Sequence, residues 1–190
     1  MSFIPLGILA ASGAGGGGAA YESIATATAN GLSNSITFSS IPSTYQHLQL
    51  RILARSLAAT GVSDAKINFN GDTGSNYSRH WIYSFDGGAP GALGGSSLTQ
   101  YGYGYMPGTT SGTDVYAASI IDIHDYASTT KNKTVRTFTG NEKQTDGNAV
   151  IILSSGAWFN TNAITSLTVG LTSVNIASGS TFSLYGIKGA

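Results

Sequence analysis

The sequence predicts an all-β fold, a single antiparallel β-sandwich of the jelly-roll kind, and three observations predict it. Apolar residues recur with a period of two from Tyr21 onward. Clusters of Gly, Asn, Asp and Ser interrupt the chain roughly every 10–20 residues. No stretch carries a convincing 3.6-residue period. Ala117–Ala127 comes closest, but Ile120, Ile121 and Ile123 are β-branched and favour a strand. About ten short strands at this spacing describe a sandwich or barrel.

The first 20 residues read as an arm. Phe3, Ile4, Leu6, Ile8 and Leu9 crowd the start, and Ala10 to Ala20 contains only Ala, Ser and Gly. Such a linker has no side chains to bury. The five large residues are the candidate docking contacts, because burying each against its own domain or a neighbouring subunit is worth about 1.5–3 kcal/mol. Residues 21–190 then form the β domain.

Within that domain, strands are expected at 22–29 and 34–40. Leu48, Leu50, Ile52 and Ala54 alternate with His47, Gln49 and Arg51 as a half-buried strand. Ile67 and Phe69, then Trp81, Tyr83 and Phe85, then Tyr101, Tyr103 and Tyr105 repeat the pattern. Later strands are expected at 116–124, 133–139, 148–153, 164–172 and 181–188. Turns are read at Asn30-Gly31, Asn70-Gly71-Asp72, Asp86-Gly87-Gly88, Gly140-Asn141, Asp146-Gly147 and Ser178-Gly179. The stretch 86–112 holds nine glycines and two prolines. It reads as an irregular insertion, its strand around Tyr101 being either inserted or an edge, and long irregular segments are often contact surfaces.

Charge excludes several functions. Nine Lys+Arg balance nine Asp+Glu, and charged residues are 9% of the 190, against about 25% in ordinary soluble domains. A neutral chain with so few cations has no footprint for nucleic acid or an anionic membrane. The absence of cysteine removes disulfides, thiolate zinc sites and a Cys nucleophile. The apolar run Phe3–Ala11 is about half a bilayer crossing, and the first cation is Arg51, so the basic start of a signal peptide is missing. A net charge near zero promotes association, which points to a life within an assembly.

Few residues offer chemistry. On a strand, Asp122 and His124 share a face and could supply two metal ligands, with His47 or His80 approaching in space; an exposed polar face, with Asp125 capping the next turn, is the preferred reading. Asn70 to Asn76 resembles part of a calcium loop, but Ser78-Arg79-His80 stands where the closing Glu belongs, so a tight turn is preferred. No Gly-x-Ser-x-Gly elbow is present, and nine acids give little material for a glycosidase pair. No catalytic residue, metal or cofactor is expected. The aromatics are the remaining signal. Trp81, Tyr83 and Phe85 suit a core or, as a flat aromatic face, a platform for stacking carbohydrate. Tyr101, Tyr103 and Tyr105 suit an oligomer interface, where Tyr is enriched, or a platform for stacking carbohydrate, with Gly102 and Gly104 leaving the other face bare for close approach.

Several blocks carry a resemblance. Ser2-Phe3-Ile4-Pro5-Leu6-Gly7-Ile8-Leu9-Ala10 precedes a glycine run and Tyr21-Glu22. Ile36 to Arg51, Ile67 to Tyr77, Ile121-Asp122-Ile123-His124-Asp125-Tyr126 and Phe182 to Ile187 follow in order. Together they resemble a family of tailed-bacteriophage virion proteins, cyanophage members included. Gly87 to Tyr116 stands outside the likeness. The resemblance implies a structural virion protein. The expected role is a capsid decoration or cement subunit, trimeric, whose partner is the major capsid protein or neighbouring virion subunits. The alternative is a tail or fibre-tip domain that binds host-surface carbohydrate.

Overall fold

The computed structural model describes residues 20–189. Their strands are β1 (Tyr21–Thr28), β2 (Ser35–Phe38), β3 (His47–Ala54), β4 (Val62–Phe69), β5 (Tyr77–Phe85), β6 (Gly91–Leu98), β7 (Tyr101–Pro107), β8 (Ala117–His124), β9 (Lys133–Asn141), β10 (Val150–Trp158), β11 (Leu167–Leu171) and β12 (Thr181–Ile187). They pair antiparallel into two sheets that form a sandwich. The larger runs β1-β12-β3-β8-β9-β10-β5-β6 and the smaller β2-β11-β4-β7. The chain crosses between sheets at each step from β1 to β5, and again around β7, β8, β11 and β12. The sequential pairs β5-β6 and β9-β10 widen only the larger sheet.

Alternation sets the faces. In β3, Leu48, Leu50, Ile52 and Ala54 turn inward; in the register of the larger sheet Leu50 lies opposite Ile121 and Leu184. Ile67 and Phe69 from β4 and Leu167 and Val169 from β11 meet them from the smaller sheet, all within one buried cluster. A second, smaller cluster holds Trp81, Val150 and Ile152, flanked by Val62, Tyr83, Phe85 and Tyr105.

The expected strands at both ends of the domain are present, and β10 runs on to Trp158 rather than stopping at 153. Gly140-Asn141 lies inside β9 instead of in a turn. Residues 86–112 are not an irregular insertion: they hold β6, an edge of the larger sheet, and β7, an edge of the smaller. Asp86 and Gly87 both take positive φ, 54° and 71°, and Gly88 N–H closes the turn over them on Phe85 O at 2.8 Å, at the start of the 86–90 connection from β5 to β6. β6 reads Gly-Ala-Leu-Gly-Gly-Ser-Ser-Leu. Its low β-propensity hides it from sequence, and it forms by pairing with β5.

The turn after β4 is tied to the opposite end of β10. Asn70 and Gly71 take φ of 51° and 67°, and Asp72 N–H donates to Phe69 O at 2.9 Å. The Asp72 carboxylate then accepts from Gly74 N–H at 2.8 Å, Asn76 Nδ2 at 2.9 Å and the indole Nε1 of buried Trp158 at 2.7 Å. These donors, Trp158 foremost, hold its pKa below the usual carboxylate value. The loop that resembled a calcium site is a hydrogen-bonded knot.

Asp72→Ala removes the acceptor from a buried indole N–H, and should cost about 1–3 kcal/mol in urea unfolding. Because the folded pKa is lowered, this contribution is intact above the ordinary carboxylate pKa and is lost as pH falls through the folded value. The variant should therefore show a shallower acid decline in stability than the parent.

Candidate interaction surface

Register places the outward side chains of the larger sheet in cross-strand rows. One row runs Ala92, Ile82, Leu153, Phe138, Ile120, Arg51, Ser183 and Thr26, from β6 across to β1. Four consecutive members are large, apolar and exposed: Ile82 61%, Leu153 52%, Phe138 51% and Ile120 42%. The next row holds Ser84, Ile151, Gly140, Ala118 and Leu53, with Ile151 and Leu53 also about half exposed. Two shallow depressions flank Phe138. One of about 490 Å³ lies over His80, Ile82, Ala92 and Leu153, and one of about 380 Å³ over Arg51, Ala118 and Ile120. Scattered surface hydrophobics are ordinary, but a contiguous row across neighbouring strands is what marks an interaction face.

The row on the other side of the apolar one is polar. It carries His80, Ser155, Arg136, Asp122 and Gln49. Gln49 Nε2 donates to Asp122 at 2.8 Å, and Arg136 approaches the same carboxylate at 3.5 Å. His47 and His124 meet edge to face at 5.0 Å; burial, then the neighbouring His47, lowers the His124 pKa. His47 Nδ1 accepts the Asp125 N–H at 3.0 Å, and the Asp125 carboxylate pairs with Lys131 at 2.7 Å. The acids are thus engaged by amides and cations. Among the described residues no three His, Asp or Glu side chains are grouped to hold a metal ion.

The tyrosines of β7 are placed differently from expectation. Tyr101 and Tyr103 have no exposed surface, so neither can touch another protomer or a sugar. Their burial follows from packing β7 against β5, β8, β9 and β10 of the opposite sheet. Tyr101 Oη meets Ser154 Oγ at 2.7 Å and Thr137 Oγ1 at 3.2 Å. Tyr103 sits at a register shift opposite Ala65 and Lys66, and its hydroxyl is buried with no partner. Gly102 and Gly104 do admit a close approach, but from within the chain. A Cβ at Gly102 would lie 2.2 Å from the Arg79 guanidinium, and one at Gly104 would lie 3.0 Å from Thr139. Tyr105 alone is part-exposed, and its ring is packed against Trp81 at 5.5 Å and Phe85 at 5.6 Å.

The arm residues Phe3, Ile4, Leu6, Ile8 and Leu9 lie outside the described residues. The outer row was the feature that sequence reasoning missed, although a signal was present. Ile120-Ile121 and Val150-Ile151-Ile152-Leu153 break strict alternation, and consecutive apolar residues in a strand mean that both faces are apolar. Comparison with protein-family models, curated proteins and solved structures yields no match for this chain.

The two buried tyrosines give a matched pair of substitutions. Tyr101→Phe strips hydroxyl partners from Thr137 and Ser154 and should cost about 1 kcal/mol, whereas Tyr103→Phe removes a hydroxyl that bonds nothing and should be neutral or stabilising. Thermal unfolding of both variants beside the parent checks this. A Tyr103→Phe loss as large as that of Tyr101→Phe would contradict the assigned environments.

Proposed function

We propose that this chain is a non-enzymatic structural subunit of a phage virion, a capsid decoration or cement protein that adheres to an assembled shell. The observation that carries the reading is the apolar row on the larger sheet. A neutral domain with 9% charged residues exposes Ile82, Leu153, Phe138 and Ile120 side by side, which suits a surface that is covered in an assembly. The strand order β1-β12-β3-β8 facing β2-β11-β4-β7 supports reading these eight strands as a jelly roll, with β5-β6 and β9-β10 added to one sheet. The resemblance of the sequence blocks to tailed-phage virion proteins adds the location, and the trimer is the favoured oligomer on that likeness.

Mechanistically, such a subunit works by linkage. It binds the assembled shell better than free subunits and so stabilises the assembled state. The arm, with Phe3, Ile4, Leu6, Ile8 and Leu9, docks on the major capsid protein or across a subunit boundary, and the glycine run gives it reach. The carbohydrate-binding alternative is weaker, because Tyr101 and Tyr103 are buried and the Tyr105 ring packs edge-on or tilted against Trp81 and Phe85.

Copy number on purified virions, measured against the major capsid protein with and without residues 1–20, tests the proposal. Hundreds of copies that fall on arm deletion are expected. A few dozen or fewer would reject decoration in favour of a tail position, and glycan binding would then be the assay to run.

A further inference from the structure

We infer that the apolar outer face of the eight-stranded sheet is where copies of this chain associate with one another. The inference deepens the assembly reading, but it concerns the isolated protein and can fail or hold independently of any virion.

Size is the first argument. Eight strands spaced about 4.8 Å apart, each rising about 3.3 Å per residue over seven to nine residues, make a face of roughly 850 Å². That matches the ~800 Å² per partner of a stable protein interface. The apolar residues of the two rows together span five strands of it, from Ile82 on β5 in one row to Leu53 on β3 in the next, or about 19 Å between outer backbones. A surface this long would be only partly covered by a single extended peptide, whereas another domain covers all of it.

Composition is the second argument. The centre of the face is Phe138 opposite Leu153, an aromatic anchor with aliphatic neighbours, and the polar row beside it offers Arg136 and Asp122 together. That is the pattern of an interface core with a polar rim. Both signs of charge lie on the same rim, so identical copies can satisfy one another. The chain is neutral overall, so no long-range repulsion opposes their approach. A strongly charged partner finds nothing on this face to match it.

Packing supplies the third. The strands that carry the apolar row, β8, β9, β10 and β5, already place buried residues on their inner side, so their outer side is free to stack on a second layer about 10 Å away, as sheets do in sandwiches. A two-fold pair lays row on row; a ring of three lays each row on a neighbour's flank. Either removes the same six side chains from water: Ile82, Leu153, Phe138, Ile120, Ile151 and Leu53.

The test is sedimentation equilibrium of the full chain near 50 µM, beside three altered proteins. Phe138→Glu with Leu153→Lys keeps the net charge at zero and places opposite charges as a cross-strand pair, a change that half-exposed positions tolerate. Leu32→Lys changes an apolar residue that is 81% exposed and outside the sheets. The third protein lacks residues 1–20. The expected result is an oligomer for the full chain, for Leu32→Lys and for the truncated chain. The double variant should be monomeric, with association weakened at least about 100-fold and an unchanged far-ultraviolet spectrum. A monomeric full chain overturns the inference. So does an oligomer that survives the double substitution, or one that is lost when residues 1–20 are removed, since the arm would then be the contact. Should the double variant fail to fold, Ile82→Lys, at the most exposed of the four positions, replaces it under the same criteria.

Discussion

The structure depends on how an eight-stranded sheet closes around one strand of a four-stranded sheet. Strand β7 is an edge in its own sheet, yet six of its seven residues are buried. The larger sheet reaches past it, so one side of β7 faces β8, β9 and β10 while the other meets Arg79 and Trp81 of β5. Trp81 Nε1 donates to Gly102 O at 3.0 Å across that contact, and the Arg79 guanidinium lies over the Trp81 ring at 4.3 Å. A side chain at Gly102 would collide with this arrangement. The two hydrophobic clusters are the two sides of the same strand: Tyr101 and Tyr103 in the first, Tyr105 in the second. An edge that would otherwise invite pairing with another chain is covered by the protein itself.

Few ions hold this interior together; hydroxyls and backbone do. Between the sheets Tyr101 bonds Ser154 and Thr137, and within the larger sheet Thr139 Oγ1 donates to Ser119 Oγ at 2.9 Å on the core side. Neutral pairs of this kind avoid the desolvation that a buried ion pair must overcome. Lys133 is the exception. Fully buried, its ammonium donates to the carbonyls of Ser128, Lys131 and Thr161 at 2.8, 2.8 and 3.1 Å. It joins the loop before β9 to the loop after β10, and burial lowers its pKa. A cation there is a staple for two loops rather than a reagent, which fits a domain whose polar groups serve architecture.

Period-two alternation made β3, β4, β8 and β12 legible, because each has one face in the core and one outside. It failed where that premise fails. β6 has almost no side chains to alternate, so only its pairing with β5 reveals it. β7 alternates large with absent side chains, which reads as one face for contact and one bare, but both faces are enclosed by the same chain. β8 and β10 carry apolar residues on both faces, and the surplus outside the core marks the candidate interface. Tyrosine enrichment at interfaces was therefore a poorer guide to which side chains reach the surface than the interruptions of alternation. Periodicity reports which side a residue takes, while burial depends on what the rest of the chain lays over that side.

Association through the sheet and docking through the arm reinforce each other on this reading. The described chain enters the domain at Tyr21 on β1, the edge of the larger sheet farthest from β6. The apolar row is centred on β9 and β10, four to five strand spacings away, or about 19–24 Å. Copies joined at that centre keep Tyr21, the residue that follows the arm and its linker, at the periphery of the oligomer. Each further arm then binds at the effective concentration set by its linker, so contacts too weak to hold one subunit hold a cluster. Loss of the apolar row would thus weaken shell binding even with every arm intact, because it would turn one multivalent ligand into several weak ones.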